Sequence, residues 1–306
     1  MSVVVVGAVY VDVKGFPDDV YLPTGRNAGK IEIVHGGVGR NVAEDIANVE
    51  LRPTFLSIVD DTPMGDAVVQ KLRNHKVNTD YVLTRPDGMG TWLAVFDNNG
   101  DVAGSISKRP NMYPIAELLE EKGDEIFSQV PSVVLEVGLD KEIIKGTLSL
   151  AKKHNVKTFA LVANMSIAAE RRDLLQQFDC VICNQQEAGI LFLDDYENKT
   201  PEEMRDILAN RIIAANIPSM VVTMGAEGAV YANLQGEKGI CPAKKVQVKD
   251  TTGAGDSFCA GVAIGMTYGK TMAESVEIGT TLAASVITSS ENVCPRFRPE
   301  EFGISI

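Results

Sequence analysis

The sequence predicts an α/β protein whose central sheet is mostly parallel. Short apolar runs that read as buried strands alternate with segments of helical spacing along most of the chain. This alternation is typical of right-handed βαβ units, which place helices over a parallel sheet. The predicted strands are residues 3–7, 53–59, 133–137, 157–162, 180–183 and 220–224. The predicted helices between them are residues 39–49, 65–75, 143–154 and 201–215.

Two stretches depart from this alternation and predict a small second sheet. Residues 31–34 and 91–96 read as isolated strands, and the second is followed by the hairpin signal Asn98-Asn-Gly-Asp and by residues 102–107. We expect a small β-sheet lid, formed by about residues 10–35 and 91–111, to cover a site beside the main sheet. Because 306 residues can bury one large core, we expect a single domain over residues 1–306.

The composition is that of an ordinary globular protein, with 45% hydrophobic and 23% charged residues. The most apolar stretch, residues 3–11, is far shorter than a membrane-spanning helix and reads as a buried strand, so no membrane is expected. The formal charge of −12 opposes nucleic-acid binding, and an ATP site would need local backbone amides and a metal ion. The five cysteines lack a metal-like double pair and read as reduced core thiols, which favours a cytoplasmic location.

The sharpest chemical signal is Asp250-Thr-Thr-Gly-Ala-Gly-Asp-Ser-Phe258, between an apparent edge strand at 245–249 and a helix. Gly253 and Gly255 allow a tight turn that aims several N–H groups at one point, which forms an anion hole at a helix N-terminus. In phosphoryl transfer a carboxylate accepts the proton of the attacking hydroxyl, and Asp256 is placed for that task. The residues alone equally allow Asp256 to be a helix cap and the glycines a simple turn.

A second glycine cluster, His35-Gly-Gly-Val-Gly-Arg-Asn41, opens the first long helix. Alone it favours a flexible turn, although Asn41 could present its amide to a substrate hydroxyl. Asp12 reads either as a solvated loop carboxylate or as an acceptor for two sugar hydroxyls.

Other nucleotide signatures are missing: residues 25–30 look like a P-loop, but the spacing is one residue short and Ile31 stands where Ser or Thr would hold Mg²⁺.

Together the two clusters resemble the ribokinase (pfkB) family of carbohydrate and nucleoside kinases. Residues 250–258 match its C-terminal signature and residues 36–41 its N-terminal one, and the order and β/α context fit over essentially the whole chain. The resemblance implies a ribokinase-like three-layer α/β/α domain and ATP-dependent phosphorylation of a sugar or nucleoside. The roles it implies are Asp256 as the base, Gly253, Ala254 and Gly255 as the anion hole, and Asp12, Gly37 and Asn41 as acceptor contacts.

The resemblance also implies a nucleotide side to the site. Asn184-Gln-Gln-Glu187 matches a family element that helps to place Mg²⁺, with Asn184 on the nucleotide side and Glu187 on the metal, although Glu187 alone reads as a solvated helix start. Thr223, Gly225 and Gly228 match a turn that touches the ATP phosphates, and residues 278–292 should border the adenine. Family members often bind a monovalent cation such as K⁺ near the loop that begins at Asp250.

Within the family, residues 27–31 and 36–41 are most similar to pseudouridine kinases, where Val38 and Arg40 replace the Lys and Ala typical of ribokinase. This implies a nucleoside acceptor phosphorylated on its 5′-hydroxyl, although Asn111 stands where an acidic residue is expected. The alternatives are a sugar kinase acting on ribose or a hexose derivative, and a non-catalytic nucleoside- or sugar-binding sensor. A homodimer through the lid is a further expectation, since the lid has exposed strand edges.

Overall fold

The protein is described from a computed structural model, in which residues 3–98, 100–162, 169–170 and 172–305 are placed. Residue 99, in the predicted hairpin turn, lies outside the described residues. The strands are β1 (Val3–Val6), β2 (Tyr10–Pro17), β3 (Gly29–Gly36), β4 (Thr54–Val59), β5 (Val82–Thr84), β6 (Gly90–Phe96), β7 (Val102–Lys108), β8 (Ser132–Glu136), β9 (Lys157–Leu161), β10 (Cys180–Asn184), β11 (Ser219–Thr223), β12 (Ala229–Asn233) and β13 (Lys238–Cys241). The helices are α1 (Val38–Asn48), α2 (Pro63–Asn74), α3 (Tyr113–Phe127), α4 (Lys141–His154), α5 (Arg172–Leu175), α6 (Gln185–Phe192), α7 (Pro201–Ala215), α8 (Ala254–Thr267) and α9 (Met272–Val286).

Nine of the described strands form the main sheet, in the order β13-β12-β11-β10-β9-β8-β1-β4-β5. Neighbours pair in parallel from β5 to β11, and only β12 and β13 run antiparallel to their neighbours. The mostly parallel sheet predicted from the sequence is confirmed. Its carboxyl edge gathers the ends of β1, β8, β10 and β11, which is where open α/β sheets bind ligands.

Helices cover both faces of this sheet, because alternate residues of its strands are apolar on both sides. In β1, Val4 and Val6 belong to a core shared with α3, α4 and α7, whereas Val3 and Val5 belong to a second core shared with α1, α2, α8 and α9. All four valines are buried. The result is the three-layer α/β/α arrangement. Over the part of the chain placed in the structure, no helix combines the length and apolar character that crossing a bilayer requires.

A separate four-stranded sheet, in the order β3-β2-β6-β7, stands beside the main one. Adjacent residues of its strands point to opposite faces. One cross-strand row consists of Asp12, Trp92 and Ser107, and the next row consists of Val13, Leu93 and Ile106. The first row faces a cleft and the second faces outward, with Leu93 and Ile106 exposed.

Two local expectations differ from the structure. The apolar run at 3–11 is not one strand, because β1 ends at Val6 and β2 begins at Tyr10 in the other sheet. The edge strand expected at 245–249 does not form a ladder; Pro242, directly after β13, lacks the N–H that would continue the pairing. Instead the backbone N–H of Lys249 donates to the carbonyl of Ile287 at 2.7 Å.

Candidate active site

Two helices begin on glycines with left-handed backbone angles at the carboxyl edge of the main sheet. Gly37, with φ of 97°, precedes α1, and Gly253, with φ of 82°, precedes α8. A Cβ atom at Gly37 would lie 2.5 Å from the carbonyl oxygen of Ala8, and one at Gly253 would lie 2.0 Å from that of Asn292. Both positions therefore require glycine, for conformation and for space.

These helix starts bring Asn41 and Asp256 together. Nδ2 of Asn41, one turn into α1, donates to Oδ2 of Asp256, in the first turn of α8, at 2.6 Å. Burial raises the pKa of Asp256 to about 7, and the carboxylates of Glu136 and Glu187 act in the same direction. The Asn41 hydrogen bond and the charge of Arg40 oppose this rise. The carboxyl is therefore poised to gain or lose a proton near neutral pH.

The front cleft, of about 480 Å³, lies between this pair and the four-stranded sheet. It brings together the predicted acceptor contacts Asp12, Gly37 and Asn41, the predicted base Asp256, and Gly253 of the predicted anion hole. The carboxylate of Asp12 packs closely against Gly36, where an added Cβ would lie 2.4 Å from it. Burial raises the pKa of Asp12 as well, whereas the charges of Lys14 and Arg40 oppose that rise.

The rear cleft, of about 760 Å³, lies on the other side of the same loop. Thr223, Gly225 and Gly228 line it opposite Ala254 and Gly255. The late segment predicted to border the adenine also contributes, through Thr280, Ala283, Ala284 and Ile287. A Cβ atom at Gly255 would meet nothing within 4 Å, so this position opens onto free space. The loop at 251–256 thus forms a wall between two clefts.

Asn184 and Glu187 lie at the start of α6, at the end of β10. Asn184 lines a third cleft of about 1090 Å³, together with Thr223, Gly225 and Gly255. Glu187 forms a capping box: its Oε2 accepts from the N–H of Asn184 at 2.8 Å, and Oδ1 of Asn184 accepts from the N–H of Glu187 at 2.8 Å. Burial raises the pKa of Glu187, although the N–H of Asn184 opposes this.

The metal-binding capacity of the site is limited on the protein side. Among the residues placed in the structure, no three His, Cys, Asp or Glu side chains converge as a metal site. The carboxylates of Glu187 and Asp256 nevertheless lie close enough to raise the pKa of Asp256, and a cation near them would relieve that repulsion. Mg²⁺ fits such a place because it binds proteins through one or two carboxylates and takes its other ligands from water and phosphates.

Two buried acids beside the site were not among the residues predicted from the sequence. Glu136 lines the front cleft, and its Oε2 accepts from the N–H of Ala8 at 3.0 Å. Asp45 is fully buried and accepts from the hydroxyl of Ser257 at 2.7 Å and from the N–H of Cys294 at 2.6 Å. The signals were present: Glu136 lies next to the carboxyl end of the predicted strand at 133–137, and Asp45 lies four residues after Asn41 on the same helix face.

Comparisons with known proteins agree on one family. Residues 1–294 match the pfkB family carbohydrate kinase description. The chain is 35% identical to a guanosine-inosine kinase of Exiguobacterium acetylicum over 95% of this chain and 96% of that protein. It is 28% identical to a pseudouridine kinase of Escherichia coli over 90% of this chain and 86% of that protein. Arabidopsis thaliana ribokinase, solved with ribose and ATP, superposes with a TM-score of 0.82 at 20% identity over 96% of each chain, which confirms the ribokinase-like fold.

Proposed function

The chain belongs to the pfkB family of carbohydrate kinases and is a sugar or nucleoside phosphotransferase; from this premise we propose that its acceptor is a nucleoside, phosphorylated on the 5′-hydroxyl by ATP. The observation that carries the proposal is the wall at 251–256, which separates the front cleft from the rear cleft. An acceptor hydroxyl in front and an ATP γ-phosphate behind would meet at Asp256. In-line transfer needs this arrangement of two substrates on opposite sides of one catalytic group.

In this proposal Asp256 takes the proton of the attacking hydroxyl. The N–H groups of Gly253, Ala254 and Gly255, at the positive end of α8, stabilise the negative charge on the transferred phosphoryl oxygens. Asp12 and Asn41 hold the acceptor, and the four-stranded sheet closes over it as a lid that keeps water from ATP. Mg²⁺ near Glu187 and Asn184 would neutralise phosphate charge when bound.

The lining of the front cleft supports an acceptor that carries a nucleobase. Besides the polar groups that a sugar needs, Tyr10, Trp92 and Met112 supply apolar and aromatic surface, and Arg109 adds a cationic donor. Aromatic side chains stack with bases, whereas a free pentose offers no aromatic face. The relatives named above act on guanosine and inosine or on pseudouridine. Because the identity to the guanosine-inosine kinase is higher, guanosine and inosine are the first candidate acceptors. Pseudouridine, favoured by Val38 and Arg40, is the second.

An acceptor panel tests the proposal. Transfer of ³²P from ATP would be measured with guanosine, inosine, pseudouridine, uridine, free ribose and, separately, the fructose phosphates as acceptors. Asp256→Asn serves as the inactive control. We expect the highest kcat/KM for a nucleoside and a loss of about 10²- to 10⁴-fold in the Asp256→Asn variant, with ATP binding retained. Preference for a free sugar would refute the nucleoside acceptor. Binding of a nucleoside without transfer would instead identify the sensor alternative.

Two further expectations belong to the same proposal. The outward row formed by Val13, Leu93 and Ile106 gives an apolar face suited to pairing with a second copy. Analytical ultracentrifugation should show a dimer that Ile106→Lys dissociates, and a monomeric wild type would contradict this. A monovalent cation such as K⁺ near Asp250 stays a prediction.

A further inference from the structure

Arg40 is a charged side chain buried beside Asn41 and Asp256, with 1% of its surface exposed. Its guanidinium donates to the carbonyl oxygens of His35 at 2.8 Å and Gly36 at 3.3 Å, to Oδ1 of Asn41, and to Oε2 of Glu44. Three of these four acceptors belong to the glycine-rich turn that carries Asn41. One buried side chain therefore fixes both the path of this turn and the side chain at its end.

The contact with Asn41 determines which way its amide faces. An asparagine amide has an accepting oxygen on one side and a donating NH₂ on the other. Arg40 has only donors, so it holds Oδ1, and the NH₂ group is left to face Asp256. If the amide were reversed, its oxygen would face the carboxylate, and two acceptors would oppose each other at hydrogen-bond distance.

The charge of Arg40 is neutralised by Glu44, which does not line the clefts. Glu44, one turn further along α1, is buried and also pairs with Lys71 of α2 at 2.9 Å, while Nε2 of His75 lies 3.8 Å from it. Lys71 and His75 are each about one-third exposed, so this side of the network reaches solvent. Glu44 therefore retains a cation partner if Arg40 is replaced. The planar five-donor guanidinium suits several acceptors in different directions, which an ammonium group serves less well.

We propose that Arg40 is a positioning residue, which fixes the orientation of the Asn41 amide and thereby the geometry of the Asp256 carboxylate toward the acceptor hydroxyl. The role of Asp256 as base rests on the proposed function, whereas the positioning itself does not. Among the residues placed in the structure, the charged groups that act most on the pKa of Asp256 are the cation Arg40 and the carboxylates Glu136 and Glu187, and Asp12 and Arg109 line the same cleft. The charge of Arg40 also lowers the pKa of Asp256.

The test removes the buried ion pair as a unit. In Arg40→Met with Glu44→Met, both charges leave together, and such apolar replacements of buried pairs are often tolerated. We expect kcat to fall about tenfold or more and the acid limb of the kcat/KM profile to move to higher pH, with the KM for ATP nearly unchanged. Lys71→Gln is the matched control: it removes a cation from the same Glu44 without contact to Asn41, and its profile should match the wild type.

A second readout does not depend on turnover. Titration of the Asp256 carboxyl, followed by ¹³C NMR in wild type and in the double variant, should show the same upward shift, and thermal unfolding checks that the variant is folded. A folded double variant with the wild-type titration and pH profile would overturn the positioning role. If wild type phosphorylates no acceptor, the proposed function fails, and the carboxyl titration still decides the role of Arg40.

Discussion

The side-chain amide of Asn41 lies 2.6 Å from the carboxylate of Asp256, although 215 residues separate the two in the chain. Each residue sits in the first turns of a helix that begins on a left-handed glycine. The two glycine-rich motifs of the sequence are thus two halves of one site. In the proposed mechanism, neither half contains both the group that holds the acceptor and the group that takes its proton.

The first prediction concerns the pH dependence of the reaction. Only the ionised carboxylate of Asp256 can accept a proton, and the pKa of this group is raised to about 7. The value of kcat/KM for the acceptor should therefore be low near pH 6 and rise through about pH 7 to a plateau. Initial rates at saturating MgATP across about pH 5.5 to 9 measure this. A profile that is flat from pH 5.5 upward would exclude Asp256 as the titrating base.

The second prediction compares two glycines of the same loop. Gly253→Ala introduces a positive-φ alanine and a contact of 2.0 Å with the carbonyl of Asn292, so it should destabilise the protein by about 1–3 kcal/mol and abolish turnover. Gly255→Ala meets nothing within 4 Å and should keep the wild-type melting temperature. Its methyl group enters the rear cleft, so we expect a higher KM for ATP. Equal effects of both variants in melting and kinetic assays would contradict this account.

Much of the main sheet could be predicted because its strands are buried on both faces and read as continuous apolar runs. The helices α3 and α9 were not predicted, although Pro114 in the first turn of α3 and the capping box of Thr271 and Glu274 before α9 are start signals; α9 is also rich in small residues that blur its periodicity. The strand β2 was hidden because the apolar run from β1 continues into it, although the chain changes sheet between Val6 and Tyr10. Local patterns do not show which sheet a strand joins.

The site was predictable where backbone geometry demands a particular residue. Gly37 and Gly253 stand out because no other residue fits their angles and surroundings. Arg40, Glu136 and Asp45 are different: a charged residue in a helix or at a strand end usually faces solvent. Their burial depends on helices packing from distant parts of the chain, and one sequence does not reveal that packing.

The third prediction separates the capping role of Glu187 from its proposed role at Mg²⁺. Gln can replace Glu in a capping box, so Glu187→Gln should keep helix α6 and the melting temperature but lose the negative charge. We expect a several-fold increase in the Mg²⁺ concentration needed for half-maximal rate. Glu203→Gln is the matched control, because Glu203 forms the same capping box with Thr200 at the start of α7. An unchanged Mg²⁺ requirement in Glu187→Gln would leave this residue with its capping role alone.

The fourth prediction concerns the nucleobase of the proposed acceptor. Trp92 lines the front cleft in the same cross-strand row as Asp12, so it is placed to stack on a base held above the ribose. Trp92→Ala should weaken transition-state binding of a nucleoside by about 1–3 kcal/mol. Kinetics with a nucleoside and with ribose measure this effect, and any activity toward ribose should be little affected. An equal loss for both acceptors would argue against stacking.

The fifth prediction concerns stability. Burial raises the pKa of Asp45 from an ordinary 3.8 to about 7, although the N–H of Cys294 and the hydroxyl of Ser257 oppose this. The folded state therefore holds a proton that the unfolded state has released, so Asp45 stabilises the fold least at high pH, and stability is lost as pH rises from about 4 to 7. Asp45→Asn mimics the neutral form and can keep both hydrogen bonds, because Nδ2 can donate to Ser257 and Oδ1 can accept from Cys294.

Urea unfolding of wild type and Asp45→Asn at pH 5 and pH 8 measures this effect. The difference in free energy of unfolding, variant minus wild type, should be about 2–3 kcal/mol larger at pH 8 than at pH 5. Each unit of pKa difference between the folded and unfolded states corresponds to about 1.4 kcal/mol. Asp66→Asn, at an exposed position in the first turn of α2, is the matched control and should show little change with pH relative to wild type. If the gap between Asp45→Asn and wild type is the same at both pH values, Asp45 is ionised in the folded protein throughout this range, and the α1–α8 contact contains a buried charge.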